Sequence, residues 1–183
     1  SKDIISGIKN INDFKALIGN HSENLEKLGK KHLEQFKYFN FYKSLLILPQ
    51  SLFNNLTNLD FQYSNMGYDG IMILGPFIKY TKNLTSLNLS YNNLNDDGCA
   101  FLRNSLSINK SLSTLILECN GISNDGLFYL IDPIVNHINL KIIKFALNSI
   151  TIDGIRDLST KLLSKQEKAM TMLDFKYNNI IVK

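Results

Sequence analysis

Hydrophobic residues recur in a fixed pattern in the middle of this chain. In the unit that begins at Leu84, leucine occupies the first, fourth, sixth and eleventh positions, and Asn92 occupies the ninth. The same pattern starts again at Leu112, 28 residues later, with isoleucine at its eleventh position. Related units start at Leu56, at Leu140 and, after a two-residue insertion, at Met170. Alternation of apolar and polar residues over such a short stretch predicts a β-strand at the start of every unit.

The second half of the first four units has helical spacing. An Asp-Gly pair occurs at 69–70, 97–98, 125–126 and 153–154. Apolar residues follow four and eight positions after the glycine, as with Leu102 and Leu106, and this spacing places them on one face of a helix. The residues two before each aspartate are acceptable N-caps, namely Gly67, Asn95, Ser123 and Thr151. We therefore expect a strand followed by a helix in each unit, and we attribute the glycine to a close approach between helix and strand layer.

A strand-helix unit of this size cannot bury its apolar face alone, so consecutive units stack. The predicted fold is therefore an α/β array with a parallel β-sheet on its concave side and α-helices on its convex side. An asparagine recurs in the turn after each of the last four strands, at positions 92, 120, 148 and 178. These residues fit an internal ladder in which side-chain amides bind the turn backbone of neighbouring units.

Residues 1–55 do not follow the repeat, and their pattern favours helices. Ser22 is a plausible N-cap for one helix, and a shorter helix is expected over residues 4–18. We expect residues 1–55 to form a helical N-terminal cap and residues 56–183 to form the repeat array. The sequence stops directly after the fifth strand, so that strand edge is a candidate for self-association, unless the chain is a piece of a longer protein.

The repeat pattern and its 28-residue spacing resemble the leucine-rich repeat, whose units span about 20–29 residues. A full helix in each unit is similar to the ribonuclease-inhibitor-like class, shared by RanGAP-type GTPase activators, NOD-like receptors and tropomodulin. The resemblance implies a solenoid that forms a horseshoe arc. It does not select one function, because one fold serves many tasks.

In such a repeat the leucines point inward, and the residues between them face the concave surface. Those face residues, with the tyrosines just beyond the strands, are the candidate partner-binding residues: Asp60, Gln62, Tyr63, Asn88, Ser90, Tyr91, Thr114, Ile116, Glu118, Ile142, Lys144, Asp174, Lys176 and Tyr177. Polar side chains dominate the first two units, while Ile116, Ile142, Ala146 and Leu147 give the middle an apolar patch. An apolar patch with a polar rim and tyrosines is typical of a protein-binding surface.

Composition and charge narrow the classes of partner. A hydrophobic content of 44% with 20% charged residues is typical of a folded soluble protein. The net charge of +4 and the mixed charges of the face do not favour a nucleic-acid partner. No apolar run approaches the roughly 18 residues of a membrane span, and no signal peptide is recognisable, so we expect a cytoplasmic protein with no membrane partner. Cys99 and Cys119 are expected to be free thiols.

These patterns predict a non-enzymatic interaction module, a scaffold or adaptor that binds another protein through the concave face. No residue set suggests a catalytic triad, a phosphate loop or a metal site, so we expect no cofactor. Two alternatives stay open: a GTPase-activating regulator resembling RanGAP, and an actin-associated capping domain resembling tropomodulin. The only arginines, Arg103 and Arg156, fall on predicted outer helices. This position disfavours an arginine-based GTPase mechanism but not an asparagine-based one.

Overall fold

A computed structural model provides the structure, which describes residues 56–165 and 170–180. These residues belong to one compact unit of the chain. The helical cap predicted for residues 1–55 lies outside the described residues, and so do residues 181–183 at the end of the chain.

Strands and helices alternate along the described residues. Their bounds are β1 Asn58–Asp60, α1 Gly67–Tyr80, β2 Ser86–Asn88, α2 Asn95–Ile108, β3 Thr114–Ile116, α3 Asn124–Asn136, β4 Ile142–Lys144, α4 Ile152–Leu163 and β5 Met172–Asp174. The five strands form one sheet in the order β1-β2-β3-β4-β5, and every neighbouring pair is parallel. The parallel sheet predicted from the leucine pattern is confirmed.

The sheet register matches the sequence repeat. Leu87 pairs with Leu115, and Leu115 pairs with Ile143, so equivalent residues of consecutive units lie side by side. All three side chains are fully buried, as are the helix residues Leu102 and Leu130 that pack from the other side. The core therefore lies between the sheet and the helices, where each buried aliphatic side chain contributes about 1.5–3 kcal/mol.

The asparagine ladder predicted from the turns is present. The Asn120 amide donates to the Leu89 carbonyl at 2.9 Å and to the Glu118 carbonyl at 3.1 Å. Its side-chain oxygen accepts the backbone N–H of Asn92 at 3.1 Å, and the Asn148 oxygen accepts that of Asn120 at 3.0 Å. Because these turns are buried, the amides satisfy backbone groups that water cannot reach.

The helix starts differ between the first two units and the next two. Ser123 and Thr151 are extended, and their hydroxyls accept the N–H of Asp125 and of Asp153, so the two predicted N-caps are confirmed. Gly67 and Asn95 have left-handed backbones, with φ of +58° and +53°, and they are the first residues of their helices. The N-cap prediction is wrong at these two positions, because glycine and asparagine tolerate the left-handed turn that the chain makes there.

The glycine of the Asp-Gly pair makes room for the preceding unit. A Cβ on Gly126 would collide with an Asp96 carboxylate oxygen, and that carboxylate accepts the N–H of Ser123 at 2.8 Å and its hydroxyl at 2.6 Å. Gly154 stands in the same relation to Asn124. At these two positions the glycine therefore makes room for the start of the previous helix. The sequence-based expectation, that it makes room for the strand layer, is wrong here.

Within residues 56–165 and 170–180, no helix is long and apolar enough to cross a membrane.

Candidate functional site

The candidate site has two parts that follow from the strand geometry. The first part, called the sheet face here, consists of the strand-region residues that alternate with the core leucines: Asn58, Asp60, Gln62, Ser86, Asn88, Ser90, Thr114, Ile116, Glu118, Ile142, Lys144, Ala146, Met172, Asp174 and Lys176. The second part, called the strand-end row, is the residue that follows each of these stretches. Its members are Tyr63, Tyr91, Cys119, Leu147 and Tyr177. Because the strands are parallel and in register, the whole row lies along one edge of the sheet.

All five residues of the strand-end row have left-handed backbones. Their φ values are +59°, +59°, +50°, +58° and +57° in chain order. The conformation is held by hydrogen bonds to the next strand region: for example, the Tyr63 N–H donates to the Ser90 carbonyl at 3.1 Å. A bulky residue in this conformation costs about 1–3 kcal/mol, yet no member is glycine. The large side chains of this row are thus not explained by backbone preference.

Tyr63 and Tyr91 form an aromatic pair in the strand-end row. Their ring centroids are 4.2 Å apart and their planes differ by 25°, which is a stacked arrangement. A hydrogen bond with the Tyr63 phenol raises the pKa of Tyr91 above its ordinary value. Tyr63 remains 67% exposed, so the pair presents a flat aromatic surface with phenol groups to solvent.

The middle of the sheet face is apolar and is bordered by one ion pair. Ile116 lies beside Lys144 in the register, and Ile142 lies beside Thr114. The Lys144 ammonium is 4.0 Å from a Glu118 carboxylate oxygen, and all these side chains are partly exposed. Leu147, 43% exposed, stands at the end of the same strand region. The structure therefore brings Ile116, Ile142 and Leu147 together with a charged rim, whereas Ala146, predicted for the same patch, is buried.

Three predicted partner-binding residues carry out local structural tasks. The side-chain oxygen of Asp60 accepts the backbone N–H of Gln62 at 2.9 Å. Asn88 accepts the N–H of Ser90 at 3.1 Å, and Asp174 accepts that of Lys176 at 3.0 Å. An Asp or Asn that bonds the backbone two residues on is a common turn device. The local requirement accounts for these three side chains without a partner.

Ser90 is misassigned by the sequence pattern, since its side chain is only 1% exposed. Its hydroxyl donates to the Asn88 side-chain oxygen at 2.7 Å. Ser90 is therefore not available to a partner, because its polar group is already satisfied below the surface. Gln62 and Lys176, at the same position in other units, are exposed.

Met172 is not among the candidate partner-binding residues, although the repeat pattern places it on the concave face and the structure agrees. It pairs with Ile142 in the sheet register and is 47% exposed. The signal that reveals it is its place in the repeat, because residues at equivalent positions form one column across the sheet. With Tyr177, 79% exposed, it extends the apolar surface to β5.

The helix side offers a different kind of surface. A groove of about 460 Å³ lies between α3 and α4 and is lined by Phe128, Asp132 and Arg156 among others. Its charges are largely paired: Asp132 lies 3.9 Å from both Arg103 and Lys161, and Arg156 lies 2.6 Å from Asp153. Both arginines thus lie on helices, as the sequence predicted.

Outside these surfaces, the part of the chain that the structure describes offers few side chains for metal binding or nucleophilic chemistry. It contains no group of three or more His, Cys, Asp or Glu side chains that could hold a metal ion. Cys99 and Cys119 are free thiols, in agreement with the sequence expectation. Burial raises the pKa of the Cys99 thiol, which keeps it protonated and unreactive.

Comparison with known proteins assigns the repeats to a class. A family model described as Leucine Rich repeat matches residues 81–102 and 109–130. These two stretches are leucine-rich repeats, and the parallel strands alternating with helices give the array the fold of a leucine-rich repeat solenoid. The ribonuclease-inhibitor-like subclass remains a prediction.

Among solved structures, the chain is similar to one titled Leiomodin-1 Actin-Binding Site 2, with a TM-score of 0.60 and 14% sequence identity. The similarity covers 66% of this chain and 70% of the leiomodin chain, and at this identity it shows a shared fold. A comparison with curated proteins finds no match.

Proposed function

We propose that this chain is a non-enzymatic protein-binding module, a scaffold or adaptor that holds its partner against the sheet face and the strand-end row. The observation that carries the proposal is the strand-end row itself. It places large side chains in a backbone conformation that disfavours them, and Tyr63 and Tyr177 are 67% and 79% exposed. Conformational strain at exposed aromatic residues is a feature of binding sites rather than of cores.

The chemistry of the surface suggests how a partner would bind. Ile116 and Ile142 supply an apolar centre, and the tyrosines supply aromatic surface with hydrogen-bonding phenols. The pair Glu118–Lys144 and the exposed Lys176 lie around that centre as a polar rim. Energetically important contacts concentrate in such apolar and aromatic centres, while rim charges steer association.

Capture of the partner from a lysate of the native cells tests this proposal. The full chain is immobilised, and the proteins it captures are compared with those captured by a Tyr91→Asn, Ile116→Lys double variant. Asparagine suits the left-handed turn, and lysine copies Lys144 at the same place in β4, so folding should be preserved. Losing two central contacts should weaken capture at least tenfold.

The matched control is Phe128→Lys on the helix side, where the ring is 69% exposed. This variant should capture the same partner as the parent. If the double variant captures the partner fully while Phe128→Lys releases it, the helix side is the binding surface and the proposal is wrong. Melting temperatures of all variants confirm that folding is retained.

A second candidate partner is actin. The similar leiomodin structure is titled an actin-binding site, and an actin-associated domain was one of the alternatives raised by the repeat pattern. Co-sedimentation with filamentous actin, with the double variant beside it, tests this directly. Binding by the parent but not by the double variant would identify actin as the partner of the sheet face. Absence of binding removes this candidate and leaves the general proposal intact.

The alternative of a GTPase activator has weaker support. Arg103 and Arg156 are held on helices in ion pairs with Asp132 and Asp153, away from the strand-end row. An arginine supplied to a GTPase would have to leave such a pair. We further propose a cytoplasmic location, which the two free cysteines support because reducing compartments keep thiols unpaired.

A further inference from the structure

The edge of the array opposite the strand-end row is rich in exposed lysine. There, each helix ends and the chain turns into the next strand. The described residues of each of the four turns include one exposed lysine: Lys82, Lys110, Lys141 and Lys165. We call these four residues, together with the aliphatic residues Ile108, Ile138 and Leu163, the lysine edge.

Exposed aliphatic side chains accompany these lysines. Ile138, in the turn after α3, is 72% exposed, and Leu163, at the end of α4, is 83% exposed. Ile108, the last residue of α2, is 43% exposed. Isolated exposed aliphatic residues are ordinary. Here, however, an exposed aliphatic residue lies at or just beyond the C-terminal end of each of three consecutive helices.

Hydrogen bonds join the turns into one continuous surface. The Lys141 N–H donates to the Ser113 carbonyl at 2.9 Å, and the Ser113 N–H donates to the Thr85 carbonyl at 2.8 Å. The Asn139 amide donates to the Lys110 carbonyl at 2.6 Å. Equivalent residues of neighbouring turns therefore lie side by side, so lysines and aliphatic side chains share one edge.

The charged residues that the structure describes in these turns are all basic. The described residues of the four turns, at 81–85, 109–113, 137–141, 164–165 and 170–171, include no Asp or Glu. Residues 166–169, outside the description, contain one Glu and one Lys and so have no net charge. At the other end of the helices, each Asp-Gly pair begins with an exposed aspartate.

Helix dipoles explain part of this arrangement but not all of it. Acidic residues at helix starts and basic residues at helix ends both stabilise the dipole. The dipole gives no reason to expose Ile138 and Leu163 among the lysines. Lysine interspersed with protruding aliphatic residues is the composition of surfaces that lie on anionic membranes.

We propose that the lysine edge is a peripheral docking site for a membrane surface of anionic phospholipid. Lipid phosphates are mobile, and lysine binds them as a point charge without demanding a fixed geometry. Ile138 and Leu163 enter the boundary between headgroups and acyl chains, where their exposure no longer costs free energy. The expectation of no membrane partner rested only on the lack of a spanning segment, and peripheral binding needs none.

Two other anionic partners fit the observations less well. Single-stranded nucleic acid is bound by stacking its bases on aromatic rings, but the described residues of the four turns contain no Phe, Tyr or Trp, and His137 is buried. An acidic protein would use the lysines, but the exposed apolar residues here, such as Leu163, are single aliphatic side chains without the Tyr or Trp in which protein-binding energy concentrates. Membrane docking leaves the strand-end row free, because that row lies at the opposite edge of the sheet.

Vesicle flotation of the full chain tests the proposal. Vesicles of phosphatidylcholine with about 30% phosphatidylserine should bind the parent, and vesicles of phosphatidylcholine alone should bind it far less. Raising the salt concentration should weaken binding through screening. A Lys82→Gln, Lys110→Gln, Lys141→Gln variant should bind the anionic vesicles about a hundredfold more weakly, since each lysine contributes roughly fivefold.

Two further variants separate this site from a general charge effect. An Ile138→Ser, Leu163→Ser variant should bind about tenfold or more weakly, although its charge is unchanged. A Lys176→Gln control, which removes a lysine from the sheet face, should bind like the parent. Unchanged melting temperatures show that these exposed substitutions leave the fold intact.

Several outcomes would overturn the proposal. One is no flotation with anionic vesicles, and another is equal flotation with neutral ones. A third is an unchanged affinity of the triple lysine variant. If soluble polyglutamate binds the edge while vesicles do not, the partner is an acidic protein, and the membrane assignment is wrong.

Discussion

Two neighbouring residues in each turn of this repeat behave in opposite ways. Asn92, Asn120 and Asn148 are buried and identical, and each side-chain amide donates to the equivalent carbonyl of the preceding strand region. The residue immediately before each of them belongs to the strand-end row, is at least partly exposed, and differs between these three units. The two positions differ in what their side chains do. The asparagine side chains complete the hydrogen bonding of the turn backbone, while the side chains of the strand-end row take no part in it.

This comparison separates structure from function within one turn. A position repeated in every unit records a requirement of the fold, since every unit has the same turn to satisfy. A varied and exposed position next to it, held in a strained conformation, is not explained by the fold. We therefore interpret the ladder as structural and the strand-end row as the partner-binding edge.

The largest expected effect concerns the repeated core. Leu117→Ala removes a fully buried side chain between sheet and helices, and it should lower the free energy of unfolding by about 2–5 kcal/mol. Met172→Ala, on the partly exposed sheet face, should cost much less. Urea denaturation measures both. Equal losses would show that the sheet face packs as tightly as the core.

The next largest effect on stability is expected from a comparison of the two neighbouring turn residues, Asn120 and Cys119. Asn120→Ala removes the ladder amide and should cost roughly 1–3 kcal/mol, because the Asn92 N–H and the Leu89 carbonyl lose a partner. Cys119→Ala, one residue earlier, should change stability by less than about 0.5 kcal/mol. Thermal or urea unfolding of the pair tests the comparison. Similar losses for both would remove the distinction.

The sequence predicted the sheet because its signal is redundant. The leucine positions, the Asp-Gly pairs and the turn asparagines all repeat with one period, so each supports the others. The same period could have predicted the Tyr63–Tyr91 stack, since residues 28 positions apart occupy equivalent places in consecutive units.

Local exceptions to the repeat could not be predicted in this way. Gly67 and Ser123 occupy the same position in their units, yet one is left-handed and the other is a side-chain N-cap. At Ser123 and at Thr151 the preceding unit supplies a side-chain oxygen to the backbone N–H, from Asp96 and from Asn124. Ser90 is buried for a similar reason, because Asn88 beside it supplies the hydrogen bond that its hydroxyl needs.

A smaller change in stability, this time an increase, is expected for a substitution in the strand-end row. Tyr177→Asn replaces a residue that is 79% exposed and has a φ of +57° by one that tolerates this conformation. Stability should rise by about 0.4–1 kcal/mol, because relief of backbone strain outweighs the little packing lost. Tyr177→Phe is the control and should leave stability unchanged. A clear loss of stability in Tyr177→Asn would mean that the ring has a structural role.

The smallest effect concerns ionisation in the aromatic pair. The pKa of Tyr91 is raised in the folded state by its hydrogen bond with Tyr63, so the bond favours the protonated phenol. Its contribution to stability is complete below the unfolded pKa of about 10 and is lost as pH rises through the higher folded value. Tyr63→Phe should therefore lower the pKa of Tyr91, as followed by phenolate absorbance. An unchanged Tyr91 titration would show that the hydrogen bond does not form.

The most direct test of the binding surface is side-chain oxidation footprinting of the chain with and without its captured partner. Tyr63, Tyr177 and Leu147 on the strand-end row are exposed, and so is Phe128 on the helix side, so all four react in the free chain. Binding at the sheet face predicts that the strand-end residues lose reactivity in the complex while Phe128 keeps it. Protection of Phe128 with full reactivity at Tyr63 and Tyr177 would contradict the account.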